Sequence, residues 1–328
     1  MTRRIGILTI ALFACLSASH IAYAASGKLV IYTSQPNKDA QQTVDAFNKV
    51  HPDVKVEWIR DGTTKVMAKL RAEFAAGAPN PDVLLIADAV TMAGLKKDGR
   101  LMAYADAPVK PYASGIYDAD KYYFGTKLLT TGIVYNTSAP MKPKSWQDLL
   151  KPEAKGLIAM PSPLTSGAAL IHLATLTDHP KLGWDYYKQL AAHGARAKGG
   201  NGGTLKAVAG GEKLYGMVVD FLPIRAKAKG SPVQFVFPTE GVSAISEPVA
   251  ILKTAKNPEA ARAFIDFLLS EQGQKLASTQ GYMPAHPKVK PPRGFPDLKT
   301  VTIMPLDELK ALNSATNNKK KFADMFGG

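Results

Sequence analysis

A single cysteine, Cys15, occurs in the 328 residues of this chain. No disulfide can form within it, so its stability has to come from a packed core. Catalytic spacings are missing as well. There is no G-x-S-x-G, no phosphate loop ending in Gly-Lys-Ser/Thr, and no H-E-x-x-H. The six histidines are dispersed, and His51, His179 and His286 each precede a proline, which reads as loop punctuation. His172 lies in an apolar helical pattern and reads as a core residue. Together these absences argue against an enzyme. No internal repeat or low-complexity segment appears. No basic stripe interleaved with aromatics is present, so a nucleic-acid partner is not expected.

The first residues have the three parts of an export signal. "MTRR" is basic, "IGILTIALFACL" is apolar and too short to span a bilayer, and "AYA" ends at Ala24. Cleavage is expected after Ala24, which makes residues 1–24 a signal peptide and the chain periplasmic. "LFAC" offers a rival reading, a lipoprotein with Cys15 modified, but Phe13 fits that pattern poorly. The formal charge is +14. Losing Arg3 and Arg4 with the signal lowers it by two, to +12. The lysines are scattered, with one dense run in "NNKKKF", and read as a solvated basic surface biased toward anionic ligands. About 300 residues with 46% apolar content suit two lobes.

From Lys28 onward, strand and helix patterns alternate. "KLVIYT", "VKVEWI" and "DVLLIA" read as strands. Between them, "NKDAQQTVDAFNKV" carries Ala40, Val44 and Phe47 at helical spacing, with Asn37 as candidate N-cap. "TTKVMAKLRAEFAAG" does the same with Val66, Leu70 and Phe74, and ends at Gly77. Such repeats imply a mostly parallel sheet covered on both faces, with ligands beyond the carboxyl ends of the strands. Those ends are Thr33-Ser34-Gln35, Arg60-Asp61-Gly62-Thr63 and Ala87-Asp88-Ala89. Tyr122 to Asn136 is extended and is expected to cross to a second lobe, where a new alternating set begins. Ala244 to Ala255 is expected to cross back. In the second lobe "GLIAMPSPLTSGAALIHL" reads as strand, small-residue turn and helix, the helix starting at Ser166-Gly167. A helix start of this kind presents unpaired N–H groups and the positive end of the helix dipole.

The chain resembles the periplasmic solute-binding components of ABC importers, in particular the group that binds ferric ion or aminophosphonates. The resemblance rests on "LVIYTSQ", "PDVLLIADAVTMAGL", "TTGIVYNT", "MPSPLTSGAA", "AVAGGEKLYGMVVDF", "PVAILKTAKNPEAARAFIDFLLSEQGQ" and "GYMPAHP". It implies two α/β lobes, each a mostly parallel sheet flanked by helices, joined by crossover strands with a ligand cleft between. Lobe 1 is expected at 25–131 plus about 248–285, and lobe 2 at about 132–247 plus about 286–328. It also implies hinge closure, a monomer without cofactor, and membrane subunits of an importer as partners.

In ferric members, a His, a Glu and a Tyr-Tyr pair hold the metal. Alignment puts Pro36, Ala87 and Phe221-Leu222 at those positions, so the four protein ligands are missing and no metal is expected. The phosphate-holding parts remain: Ser166, Gly167 and Ala168 at one helix start, with Thr165 beside them, and Asn201 at another. Asp88, Asp220 and Glu247 are expected near the cleft, with Ser34, Gln35 and Phe221 completing the candidate set. Tyr32, Tyr123 and Tyr282 are further candidates to pack on ligand. Oxyanion donors with nearby acids suit a small amino-phosphonate, 2-aminoethylphosphonate above all. Ferric iron held by Asp88, Asp220 and Glu247, or a polyamine, are the alternatives.

Overall fold

The computed structural model describes residues 25–297 and 300–327, so the expected export signal and Cys15 lie outside the described residues. The first half runs β1 (Gly27–Thr33), α1 (Asn37–Val50), β2 (Val54–Arg60), α2 (Thr63–Ala75), β3 (Val83–Leu85), α3 (Ala89–Lys97), β4 (Leu101–Met102), β5 (Tyr123–Gly125) and β6 (Lys127–Asn136). It continues with β7 (Ile158–Met160), α4 (Gly167–Asp178), α5 (Gly183–Ala192), β8 (Arg196–Ala197), α6 (Asn201–Ala209), β9 (Tyr215–Val219), α7 (Phe221–Ala228), β10 (Val233–Val236) and β11 (Ser243–Ile245). Then come β12 (Pro248–Leu252), α8 (Pro258–Leu269), α9 (Glu271–Thr279), β13 (Met283–Pro284) and α10 (Glu308–Phe326).

Two sheets result. The first has the order β2-β1-β3-β12-β4, with β5 also on β12, and the second β10-β6-β9-β7-β8, with β11 and β13 also on β6. Both are mixed. Strands linked through helices lie parallel: β1 to β2 and β3, and β7 to β8 and β9. The long strands that arrive from the other lobe, β6 and β12, run antiparallel to their neighbours. The parallel expectation therefore holds for the strand–helix–strand units, and the crossovers add the antiparallel pairs. The chain leaves the first sheet after Gly125 and enters the second at Lys127; it leaves the second after Ile245 and returns at Pro248.

Strand side chains alternate between faces, and the two faces of β1 build two different cores. Leu29 and Ile31 pack with Phe47 of α1 and Phe264 of α8. Val30 and Tyr32 pack on the other side with Val66, Leu70 and Met92. Phe47 is fully buried, its ring edge-on to Phe264 with centroids 5.1 Å apart. The second sheet is covered likewise, by Trp146, Leu173 and Tyr186 on one face and Val208 on the other. A further cluster joins the lobes: Val90 of α3, Ala168 and Ile171 of α4, Phe221 of α7, and Tyr282.

Two local readings change. Asn37 is the first helical residue of α1 rather than its cap; Pro36 precedes it, and no side chain caps that end. Residues 308–326, to which the sequence reading assigns no element, form α10. Its start is capped by Asp307, which accepts from the Lys310 N–H at 2.9 Å. Only Ala311 and Phe322 are fully buried on it, so its apolar stripe is thin. Phe322 packs on Tyr187 of α5, while a Cβ at Gly94 of α3 would stand 3.2 Å from Leu312. α10 thus touches both lobes.

His172 bears out as a core residue. Its ring lies 4.9 Å from that of Trp146, its Nδ1 is 2.9 Å from Ser243 Oγ, and burial pushes its pKa down to about 3. The unfolded chain takes up this proton near pH 6.5 and the native one does not, so stability falls as pH drops from about 6.5 toward 3. His172→Phe is expected to remove a slope of up to about 1.4 kcal/mol per pH unit in that window. Urea unfolding of both proteins at pH 7 and pH 5 measures the difference.

Candidate ligand-binding site

Between the lobes lies a cavity of about 390 Å³, within the range of about 300–1,000 Å³ common for small-molecule sites. Its wall is made where helices begin. Pro36 precedes α1; Gly62 and Thr63 open α2; Ala87 leads into α3; Ser166 caps α4; Gly200 to Gly203 open α6; Phe221 and Leu222 open α7. This follows from the strand–helix alternation, which starts each helix at the carboxyl end of a strand.

These helix starts differ in how their N–H groups are satisfied. At α3, Asp88 accepts from the Thr91 N–H at 2.9 Å and from the Thr91 hydroxyl. At α7, Asp220 accepts from the Phe221 N–H at 2.7 Å, and its other oxygen accepts from the N–H and hydroxyl of Thr130 at 3.0 and 2.7 Å. Both carboxylates are buried, absent from the cavity wall, and engaged by backbone N–H groups and a threonine hydroxyl each. The structure places both away from the wall where ligand acids were expected: Asp88 caps α3 within its own first turn, and Asp220 caps α7 and ties it to Thr130 of β6. Burial raises both pKa values, that of Asp220 to about 6. α1, α2 and α6, in contrast, have no side-chain cap, and the starts of α2 and α6 line the cavity; just before α2, Asp61 accepts from the Gly62 N–H at 2.7 Å.

Ser166 and Asn201 form one unit. Ser166 Oγ accepts from the Ala169 N–H at 3.2 Å and from Asn201 Nδ2 at 3.1 Å, while Asn201 Oδ1 accepts from the Val219 N–H at 3.1 Å. A hydroxyl has two acceptor positions and one proton. Both positions of Ser166 are filled from the protein, so its proton is left for a ligand acceptor. Ser34 is similar: its Oγ accepts from the Ala87 N–H at 3.0 Å and its proton remains. Thr165 lines the cavity, but its hydroxyl donates to the Gly199 carbonyl at 2.7 Å, so it adds no donor. Ala168 is in the wall. Gly167 is behind it, where a Cβ would stand 2.6 Å from the Ala87 carbonyl oxygen. At Gly62 the same atom would stand 2.7 Å from the carbonyl oxygen of Thr165. These two glycines let the backbones of the lobes touch.

The charged wall residues are Arg60 and Glu247. Arg60 Nε donates to the Gln35 carbonyl at 2.8 Å, which fixes the guanidinium at the rim with its other nitrogens open. The sequence places it at a ligand-facing strand end but the candidate set leaves it out, although it ends β2 and follows the same rule as Ser34. Glu247 is buried and ion-paired with Lys127; the same oxygen, Oε2, lies 3.4 Å from Gln35 Nε2. Gln35 is therefore a support for Glu247 rather than a wall residue. Of the aromatic candidates, Phe221 and Tyr282 line the cavity with rings 4.4 Å apart, whereas the Tyr32 hydroxyl points to Glu73 and Tyr123 lies against Glu308. Among the described residues no three His, Cys, Asp or Glu gather as a metal site, so Asp88, Asp220 and Glu247 do not form the alternative ferric set.

Two α/β lobes joined by crossovers, with a polar cavity at their seam, define a solute-binding protein. The chain belongs to the bacterial extracellular solute-binding protein family, whose profile matches residues 42–302. An uncharacterized protein of Haemophilus influenzae is 31% identical over 271 residues, 78% of this chain and 77% of its own length. The Fe(3+)-binding periplasmic protein of Serratia marcescens is 27% identical over 79% of this chain and 78% of its own. Among solved structures, the periplasmic binding protein AfuA of Actinobacillus pleuropneumoniae, with exogenous fructose-6-phosphate bound, superposes with a TM-score of 0.83 at 25% identity. It covers 92% of this chain and 98% of that one.

Replacing the buried caps tests their assignment. Asp220→Ala strands the N–H groups of Thr130 and Phe221 and is expected to lower stability by about 2 kcal/mol or more. Asp88→Ala is expected to cost about 1 kcal/mol. Calorimetric unfolding that finds either variant as stable as the parent would return that carboxylate to the list of free acids.

Proposed function

We propose that this chain captures a small phosphoryl or phosphonate compound outside the cytoplasmic membrane and hands it to the membrane subunits of an ABC importer. Residues 1–24 are the export signal in this reading, and the lobes close about the ligand. One observation carries the ligand class: the uncapped starts of α2 and α6 open on the same cavity as the Ser166 hydroxyl proton and Arg60. Open N–H groups, positive dipole ends and a guanidinium together favour an oxyanion with several acceptor oxygens. Among the described residues no three His, Cys, Asp or Glu side chains gather as a metal site, and Phe221-Leu222 stand where the ferric members carry their tyrosines, which weighs against ferric iron. A polyamine would meet Arg60 and the helix ends with its like charge.

The opposite pole is Glu247 Oε1, which accepts one donor. The ammonium of 2-aminoethylphosphonate meets that need, and the compound remains the best single candidate. A hydroxylated phosphate ester also reaches both poles, and the fructose-6-phosphate of AfuA supports keeping that class as the second reading.

Isothermal titration with 2-aminoethylphosphonate and with a sugar phosphate separates these. Arg60→Ala and Ser166→Ala are each expected to weaken the preferred ligand by about tenfold or more, the effect of one hydrogen bond to a charged group. Glu247→Gln is expected to weaken the amino compound by a similar factor and the hydroxylated one by much less. Absence of binding heat with every phosphoryl or phosphonate compound would overturn the proposal.

A further inference from the structure

Behind the aromatic wall of the cavity, a charged pair joins the lobes. Arg225 of α7 belongs to the second lobe and Asp39 of α1 to the first; they are 186 residues apart in the chain. Arg225 Nη1 donates to Asp39 Oδ2 at 2.9 Å, and the Tyr282 hydroxyl donates to the same oxygen. The guanidinium centre lies 4.5 Å from the ring centroids of both Phe221 and Tyr282. On Tyr282 a second cation, Lys127, sits 4.4 Å from the ring, and Lys127 is the partner of Glu247 in the cavity wall. Asp39 is buried, and it is the one acid within ion-pair distance of Arg225 among the described residues. Gly281 makes this approach possible: its φ is +84°, and a Cβ there would stand 2.9 Å from Arg225 Nε.

We infer that Arg225 is a positioning residue of the cleft, and that its pair with Asp39 latches the second lobe to the first. The inference rests on reading the chain as a protein that closes around its ligand. With the lobes apart, Asp39 keeps the Tyr282 hydroxyl while Arg225 has no acid. Its Nε and Nη2 already lack partners, so Asp39 is the anion that makes the buried position of this cation favourable. Closing the lobes brings the guanidinium, which lies on Phe221 of its own helix, onto the Tyr282 ring and the Asp39 carboxylate at once. The same step sets Phe221 against Tyr282, so the wall that meets the ligand forms as the lobes meet. Phe221 and Tyr282 come from different parts of the chain, and Arg225 touches both.

Small-angle X-ray scattering of the ligand-free protein tests this without knowing the cargo. Asp39→Asn and Arg225→Met are each expected to lower the closed-to-open ratio by about tenfold or more, seen as a larger radius of gyration than that of the parent. The double variant removes both charges and leaves no orphan, so it folds even where a single variant does not, and it is expected to be as open as the singles. A double variant with the parent's radius of gyration and a cooperative melt would overturn the latch. Because no ligand enters the measurement, a failure to bind phosphoryl compounds leaves this result standing.

Discussion

Backbone N–H groups at a helix start have no partner within the helix. In this chain six helices start at one seam, because each follows a strand whose carboxyl end lies there. Left alone, six such ends would put a strongly positive field on one cavity. The structure divides them. Asp88 and Asp220 place negative charge on α3 and α7 from within the protein, and Ser166 caps α4 with a neutral oxygen that still has a proton to give. α1, α2 and α6 have no side-chain cap. These helix starts, the Ser166 hydroxyl and Arg60 line the same cavity. In the proposed reading, the sign of the ligand follows from this remainder more than from the overall charge of the chain.

The lobes must come close for these donors to act together, since α2 belongs to one and α4 and α6 to the other. Two positions permit that approach. Gly62 lies against the Thr165 carbonyl and Gly167 against the Ala87 carbonyl, with no room for a Cβ at either. On the far side of the cavity, Arg225 and Asp39 pair across the same seam. Backbone contact on one side and a charged pair on the other hold the geometry that the donors need.

Much of this fold is legible in the sequence. The strand–helix periods, the two extended crossovers and the strand–turn–helix at Ser166 all appear where residue patterns put them. α10 is not legible, because two fully buried residues in nineteen make no clear stripe. The site was only partly legible. Ser166 and Asn201 do meet, but by hydrogen-bonding each other, which spacing along the chain cannot show. Asp88 and Asp220 end apolar strands, where a ligand acid and an N-cap occupy the same place in the sequence, and only the fold shows that both cap helices. Of the three acids expected near the cleft, Glu247 is the one in the wall. Its support from Lys127 and Gln35 comes through folding alone, as does the contact between Arg225 and Asp39.

A thermal-shift screen of the refolded, ligand-stripped protein measures the ligand class most directly. Compounds that bind the native state raise Tm in proportion to the logarithm of their concentration above Kd. Phosphonates and phosphate esters are expected to raise it progressively, while spermidine and ferric citrate leave it unchanged. A rise with spermidine or ferric citrate, and none with any phosphoryl compound, would contradict the account of the cavity as an oxyanion site.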